Sequence, residues 1–500
     1  MSTNELSSVI STMRKIHASQ VNQSYDWRYS QLLKLRKLIT ENRNEIIHAV
    51  QRDLSKHELE FCIAELETIE NELSMALSNL RNWMSPKQVP SPGQFIPAYS
   101  EIRSVPLCSP GVLVISPFNY PWNLALVPAI GAIAGGNPVL IKPSESTSNS
   151  SSLLKLLISK YFDDGAIQVV GGGVSVTTKL LSYGWGLVFF TGSERVGKIV
   201  AQAAAKTLTP VVLELGGKCP TYIDRDCPSD LKVVANRVVW GKTLNAGQTC
   251  IGVDYVLVHN DVKEKFCEEV KQALERMYTS NPKNSGLARI ATVDQAKRLK
   301  SLIEEAENCV VWGGSEKCDI NEKYVCPTVI LNPPKECRLL KEEIFGPILP
   351  IISVDTDDEA ITYINQMPGT PLAMYVFTTS SKQFEKFLCQ VPSAAAIRND
   401  VVMNFGSPHL PFGGLGSSGY GSYHGKTSFE TFTHQRAVVF KPCHAAFEYG
   451  GLRYQPYSAL QEKAFSVLGI LPDVPVLHTR KMLSFATVLG VCVIGVNLFF

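Results

Sequence analysis

The chain has 500 residues, too many for one hydrophobic core, and its 45% hydrophobic and 19% charged residues include no low-complexity block; two or three globular domains are expected. A net charge of +2 supplies no field for a nucleic acid. The thirteen cysteines are scattered, odd in number and never arranged as CxxC, and the opening MSTNELSSVISTMRK lacks the apolar segment of a secretory signal. They read as reduced thiols facing the cytosol, with neither a disulfide framework nor a zinc site.

Helical spacing of apolar residues runs through 32–39 and 61–77, so the first eighty-odd residues are expected to be helices. From residue 111 the pattern changes. GVLVISPF (111–118), NPVLIKP (137–143), AIQVVGG (166–172), GLVFFTG (186–192) and VVLELGG (211–217) are short β-rich runs ending in Gly or Pro. Helical stretches at 125–134, 151–161 and 196–205 lie between them. This alternation predicts a parallel, doubly wound sheet, with a second set of α/β signals after Gly241.

Such a sheet binds ligands at the carboxyl ends of its strands. No GxGxxG follows any of these strands, and GGGVSV (171–176) is a near miss that reads more readily as a strand-ending turn. FTGSERVG (190–197) ends a strand at Gly192 and starts a helix near Glu194, so its amides could face a pyrophosphate or form an ordinary βα turn. Lys142 and Glu145 of IKPSES stand at another strand end; the carboxylate suits ribose hydroxyls and would repel a 2′-phosphate, the alternative being a solvated loop.

The remaining candidates are nucleophilic. Cys250 follows a Gly-Gln turn in NAGQTC, where a helix N-terminus is expected to lower its thiol pKa. A buried inert thiol is the alternative. Glu214 closes an apolar strand in LELGGK, so burial should raise its pKa as suits a general base, unless a salt bridge claims it. Asn119 of SPFNYPW is an amide donor at a strand end, or a turn residue before proline.

At the far end, residues 482–500 carry no charged side chain. As a helix they would span about 28 Å, the thickness of a bilayer core. Arg480 and Lys481 flank them on the side that would remain cytosolic. A tail anchor is expected, with a buried core helix or a shallow insertion left open.

LELGGK, then GQTC, with PFNYPW, IKPSE, FTGS, EEIFGP (342–347) and PFGGLGSSGYG (411–421), stand in the order found in the aldehyde dehydrogenase superfamily. The chain resembles that superfamily over nearly its whole soluble part. Through YHGKTSFETFTHQR (423–436), LRYQPYS (452–458) and the apolar tail it is most similar to the class 3 fatty aldehyde dehydrogenases. The resemblance implies a Rossmann-variant cofactor domain with N-terminal helices (1–213), an α/β catalytic domain (214–402), and a return to the cofactor domain with a bridging, oligomerising element (403–440). A membrane-proximal segment (441–481) and the transmembrane anchor (482–500) would follow.

It further implies NAD as cofactor, NADP being left open, with Lys142 and Glu145 at the adenosine ribose and Gly192, Ser193 and Gly197 along the pyrophosphate. Glu343 would hold the nicotinamide ribose, and Phe345 would pack near the ring. Cys250 would attack a long-chain aldehyde, Asn119 and the Cys250 amide would hold the oxyanion, and Glu214 would activate water. A homodimer, bridged near 85–105 and 425–440, is implied, at the endoplasmic reticulum, lipid droplet or mitochondrial outer membrane. No metal is implied.

The segment 457–471, with Leu460, Ala464, Val467, Leu468 and Leu471 on one helical face, resembles a helix over the substrate tunnel, or else serves as a spacer. Two departures stand near the site: Gly252-Val253 in place of Ala-Pro, and alanines at 394–396 where relatives often carry glycine. If those glycines need positive φ, alanine would be strained there. A tethered, catalytically silent scaffold and an acyl-CoA-forming enzyme are the rival readings.

Overall fold

The computed structural model describes residues 3–92, 95, 97–278, 282–444, 448 and 453–468. The chain divides into two compact units, Met1–Leu80 with Pro106–Phe432, and Arg81–Val105 with Thr433–Phe500.

The larger unit holds two sheets. Strands are numbered here over both units: β1 Lys87–Val89, β2 Tyr99–Pro106, β3 Val112–Ile115, β4 Val139–Lys142, β5 Ile167–Val169, β6 Leu187–Thr191, β7 Val211–Glu214 and β8 Pro220–Ile223. There follow β9 Tyr255–His259, β10 Val310–Trp312, β11 Thr328–Leu331, β12 Ile348–Val354, β13 Ala373–Phe377, β14 Ala395–Arg398, β15 Gly419–Tyr420 and β16 Thr433–Phe440.

The first sheet runs β15-β7-β6-β3-β4-β5. Its five predicted strands are all present and parallel, and only β15 is antiparallel, pairing Gly419 with Glu214. The order turns back beside β3, and the carboxyl ends of β3 and β6 flank that switch point, where open α/β sheets take ligands. The strands are near-continuous apolar runs because helices cover both faces. On one side Leu6, Ile10 and Met13 of the Thr3–Ser19 helix join Leu113, Leu140, Val188 and Leu213. The helix Asn123–Ala134 is buried along its whole length, as its all-round apolar sequence requires. A Cβ on its Gly131 would lie 2.7 Å from Ser428 Cβ, so glycine there permits close helix packing.

The second sheet runs β10-β11-β12-β9-β8-β13-β14, parallel except for β10. It begins before the expected point: β8, at Pro220–Ile223, already belongs to it, but four residues give too little pattern to be read alone. The alanines at 394–396 have no positive φ. They lead into and lie in β14, so the backbone there asks for no glycine.

The predicted helix over 61–77 is interrupted. Glu58–Phe61 is α-helical, Cys62–Leu66 forms a π-turn, and α-helix resumes at Glu67 and continues to Met84. Apolar spacing cannot reveal one extra residue per turn.

The smaller unit is a three-stranded sheet, β1-β2-β16, in which Tyr99 stacks on Phe440 at 4.5 Å between ring centroids. A helix spans Ala459–Leu468, with Leu460 exposed. The side chains of Ala464, Val467 and Leu468, and Leu471 itself, lie outside the described residues, as does the expected anchor at 482–500. Among the described residues no helix is long and apolar enough to cross a membrane.

Candidate active site

Three segments converge on the carboxyl edge of the first sheet. Asn119 follows β3, Glu214 ends β7, and Cys250 lies in the loop between the helix Leu231–Thr243 and β9. The loop is set by an unusual turn. Asn245, Ala246 and Gly247 are all left-handed, with φ of 54°, 52° and 75°. Glycine is required at the third position, because a Cβ there would come 2.2 Å from the Gly346 carbonyl oxygen. The Gln248 side chain fastens the turn from within: its Nε2 donates to Asn245 O and Arg289 O, and its Oε1 accepts from Ala291 N.

Asn119 is buried, and its Nδ2 donates to Gln248 O at 2.9 Å, two residues before Cys250. Its own carbonyl accepts from Asn245 Nδ2 at 2.7 Å. Thus the Asn119 turn and the Cys250 loop are bonded to each other. Tyr120 and Thr249 join them again, hydroxyl to hydroxyl at 2.6 Å.

Cys250 is partly exposed. No helix starts there, so the expected lowering of its pKa by a helix terminus is corrected: burial, then the charges of Glu343 and Glu214, push the thiol up to about 12, against the pull of the Ile251 and Cys250 amides. Glu214 is buried, and neither carboxylate oxygen has a hydrogen-bond partner among the described residues. Burial holds its pKa well above the ordinary value. An unpaired buried carboxylate is costly, and among the described residues no salt bridge claims it.

Glu343 reaches the same region from the loop before β12. Its Oε1 accepts from Gly217 N at 3.2 Å, and a Cβ on Gly216 would lie 2.2 Å from its Oε2. Burial, with the charge of Asp254, lifts it to about 7 against the Gly217 amide, Lys218 and Arg298. Lys218 and Asp254 were not singled out from the sequence. The Lys218 ammonium donates to Asp254 and to the carbonyls of Leu339 and Glu342, while Asp254 Oδ1 accepts from Ile344 N, so the pair holds the chain on both sides of Glu343. The lysine after LELGG was a visible signal: a charge between two apolar strands needs a partner. Phe345, at φ 52°, meets Phe118 edge-on at 6.0 Å.

The other cofactor candidates lie along the carboxyl edge. Lys142 is buried at the end of β4 and donates to Glu145 Oε2 at 2.8 Å. Burial raises the Glu145 carboxyl, but the Lys142 hydrogen bond, a backbone amide and the Lys142 charge together outweigh it and hold the group below its usual value. Ser193 precedes the helix Glu194–Ala205 and leaves its hydroxyl out of the cap. The Gly192 amide bonds Glu214 O, and Gly197 packs where a Cβ would come 2.8 Å from Leu215. A Cβ built on Gly171 meets nothing within 4 Å.

A cavity of about 430 Å³, counting its open mouth, meets Cys250. Ala64, Tyr120, Leu124, Ile251, Phe405 and Phe412 form its apolar wall. His424 also lines it, 3.3 Å from Glu72. Burial lowers the histidine to about 4 and raises the glutamate to about 7, so the histidine is neutral near pH 7 while the glutamate is in mid-titration.

A profile of the aldehyde dehydrogenase family matches residues 2–438. The chain belongs to the aldehyde dehydrogenase family. Among similar proteins, aldehyde dehydrogenase family 3 comG of Dictyostelium discoideum is 44% identical over 467 residues, 93% of this chain and 97% of that one. Aldehyde dehydrogenase family 3 member A2 of Pongo abelii is 40% identical over 430 residues, 86% and 87% of the two chains. The solved structure of Staphylococcus aureus AldH in its substrate-bound state superposes with a TM-score of 0.88 at 37% identity, covering 93% of this chain and 99% of that one. The protein is therefore an NAD(P)-dependent aldehyde dehydrogenase of the class 3 type.

Proposed function

We propose that this aldehyde dehydrogenase oxidises medium- to long-chain aliphatic aldehydes at a membrane, with NAD as the acceptor. The observation that carries the substrate class is the cavity wall. Most of its lining is apolar, and two of its polar groups are engaged within the protein: Asn123 Nδ2 with Ala64 O, and Thr249 with Tyr120. Such a wall favours an unsubstituted hydrocarbon chain, because a polar substituent would lose water without gaining a partner.

Cys250 Sγ attacks the carbonyl carbon, and its proton passes to solvent, directly or by way of Glu214, which is left ionised. The oxyanion takes the Cys250 amide and the second hydrogen of the Asn119 side-chain amide, the first being given to Gln248. When bound, the dinucleotide supplies the acceptor for the hydride that leaves this carbon, and a thioester remains on Cys250. Glu214 then takes a proton from water as the water attacks the thioester, and the acid departs as the thiol re-forms. The unpaired, high-pKa carboxylate suits that work.

The donor set fits a dinucleotide. Lys142 and Glu145 would hold the adenosine ribose, with the half-exposed, ionised carboxylate favouring NAD over NADP. Ser193 and the start of the Glu194 helix, with Gly192 and Gly197, would lie along the pyrophosphate. Glu343 in the Gly216 cradle would take the nicotinamide ribose, with Phe345 beside the ring. The uncharged segment 482–500 anchors the protein with its catalytic part in the cytosol, at the endoplasmic reticulum, lipid droplet or mitochondrial outer membrane, and the chain works as a homodimer. The segment 457–471 gates long chains.

The test is NADH formation with hexadecanal and with propanal, for the full chain and for a chain lacking 457–500. The full chain should favour hexadecanal, and the shortened one should lose that preference. An equal preference in both would end the gating idea, and a full chain that prefers propanal would end the fatty-aldehyde reading.

A further inference from the structure

Lys56 and Glu65 are both buried and paired, Nζ to Oε1, at 2.9 Å. A buried ion pair contributes little net stability once desolvation is counted, so its contacts matter more than its existence. Lys56 also donates to Asn119 O at 3.0 Å and stands 4.4 Å over the Tyr120 ring. The other oxygen of Glu65 accepts from Trp122 N at 2.9 Å and Asn123 N at 3.2 Å. Those amides open the helix Asn123–Ala134, whose N-cap residue Trp122 offers no side-chain bond of its own. The pair therefore grips both ends of the 119–123 turn that carries Asn119.

The same helical segment reaches the nucleophile loop. Glu60 Oε1 accepts from Asn245 N at 3.0 Å, and Asn245 Nδ2 in turn donates to Asn119 O. Residues five apart on an α-helix point about 140° away from each other. The π-turn at Cys62–Leu66 adds a residue to the turn and closes that angle, so Glu60 and Glu65 serve neighbouring loops. Ala64, inside the π-turn, lines the cavity and accepts from Asn123 Nδ2 at 3.0 Å.

We propose that Lys56, Glu65 and Glu60 are positioning residues: a charged clamp, built on a π-turn, that holds the Asn119 amide in register with the Cys250 loop. This rests on Asn119 being the oxyanion donor.

The test is the pre-steady-state burst of NADH with octanal and NAD, measured on the full chain. Asn119→Ala should slow the burst by about a hundredfold or more. Lys56→Met should slow it about tenfold, with the aldehyde KM within about twofold of wild type. In the Asn119→Ala background, Lys56→Met should change the burst by less than about twofold, because the group it positions is already gone. An equal tenfold loss in both backgrounds, or no loss in the wild-type background, overturns the clamp while leaving Asn119 in place. A wild-type burst in Asn119→Ala removes the Asn119 reading and the clamp with it. If Lys56→Met does not fold, Glu65→Gln, which keeps an acceptor for the Trp122 and Asn123 amides, is judged in the same two backgrounds by the same criteria.

Discussion

Burial shifts Cys250 and Glu214 upward alike, and each makes a measurable prediction. With its thiol near pKa 12, Cys250 should be alkylated by iodoacetamide about tenfold faster per pH unit from pH 7 to 9 in the enzyme alone. Mass spectrometry of the Cys250 peptide checks this, and a plateau with a midpoint near 7 would mean a resting thiolate. The Glu214 carboxyl is raised by burial above its ordinary 4.5. A raised group supports folding fully below its unfolded pKa, and that support is lost as pH climbs towards the folded value. Glu214→Gln cannot ionise, so it should melt at a higher temperature than wild type at pH 8 and at nearly the same temperature at pH 4. The same variant should keep its NADH burst while steady turnover falls by about two to four orders of magnitude. Cys250→Ala should show neither phase. These two residues were legible in the sequence because each breaks a local rule: an acid ending an apolar strand, a cysteine after a Gly-Gln turn. The thiol pKa was not legible, since it depends on charges brought from Glu343 and Glu214 by the fold.

At the scale of elements, the left-handed turn at Asn245–Gly247 carries the strain. Gly247→Ala adds both a strained φ and an overlap with the Gly346 carbonyl, at 2.2 Å. It should cost about 3 kcal/mol or more and abolish activity, as urea unfolding and NADH assays would show. Ala246→Gly should instead be stabilising by roughly 0.5 kcal/mol, since alanine at φ 52° is strained. The five parallel strands of the first sheet were readable from apolar runs ending in Gly or Pro. The π-turn was not, nor were Lys56 and Glu65. In sequence they are ordinary charges, Lys56 in the break between two helices and Glu65 on the next helical run, and only tertiary structure turns both inward.

For the whole molecule, the alternation of strand and helix signals announced the first sheet, whereas the second began earlier than its signals did. The order of motifs told more than any single one, because convergence of residues 119, 214 and 250 is a property of topology. If the tail acts as an anchor, a chain ending at residue 481 should move from the membrane pellet to the supernatant on centrifugation while keeping its turnover of propanal. Retention in the pellet would assign attachment to another surface.

The pairing of Gly419 with Glu214 sets a condition on biosynthesis. A Cβ at residue 419 would lie 1.9 Å from the Leu213 carbonyl oxygen, so glycine alone can close that edge. The strand that ends at Glu214 thus waits for a segment made about 200 residues later. A nascent chain on the ribosome already displays Cys250 and Asn119 while the edge of β7 is still unpaired, open to any passing strand. Messages cut short before codon 419 would yield chains in which this edge of β7 never meets its partner.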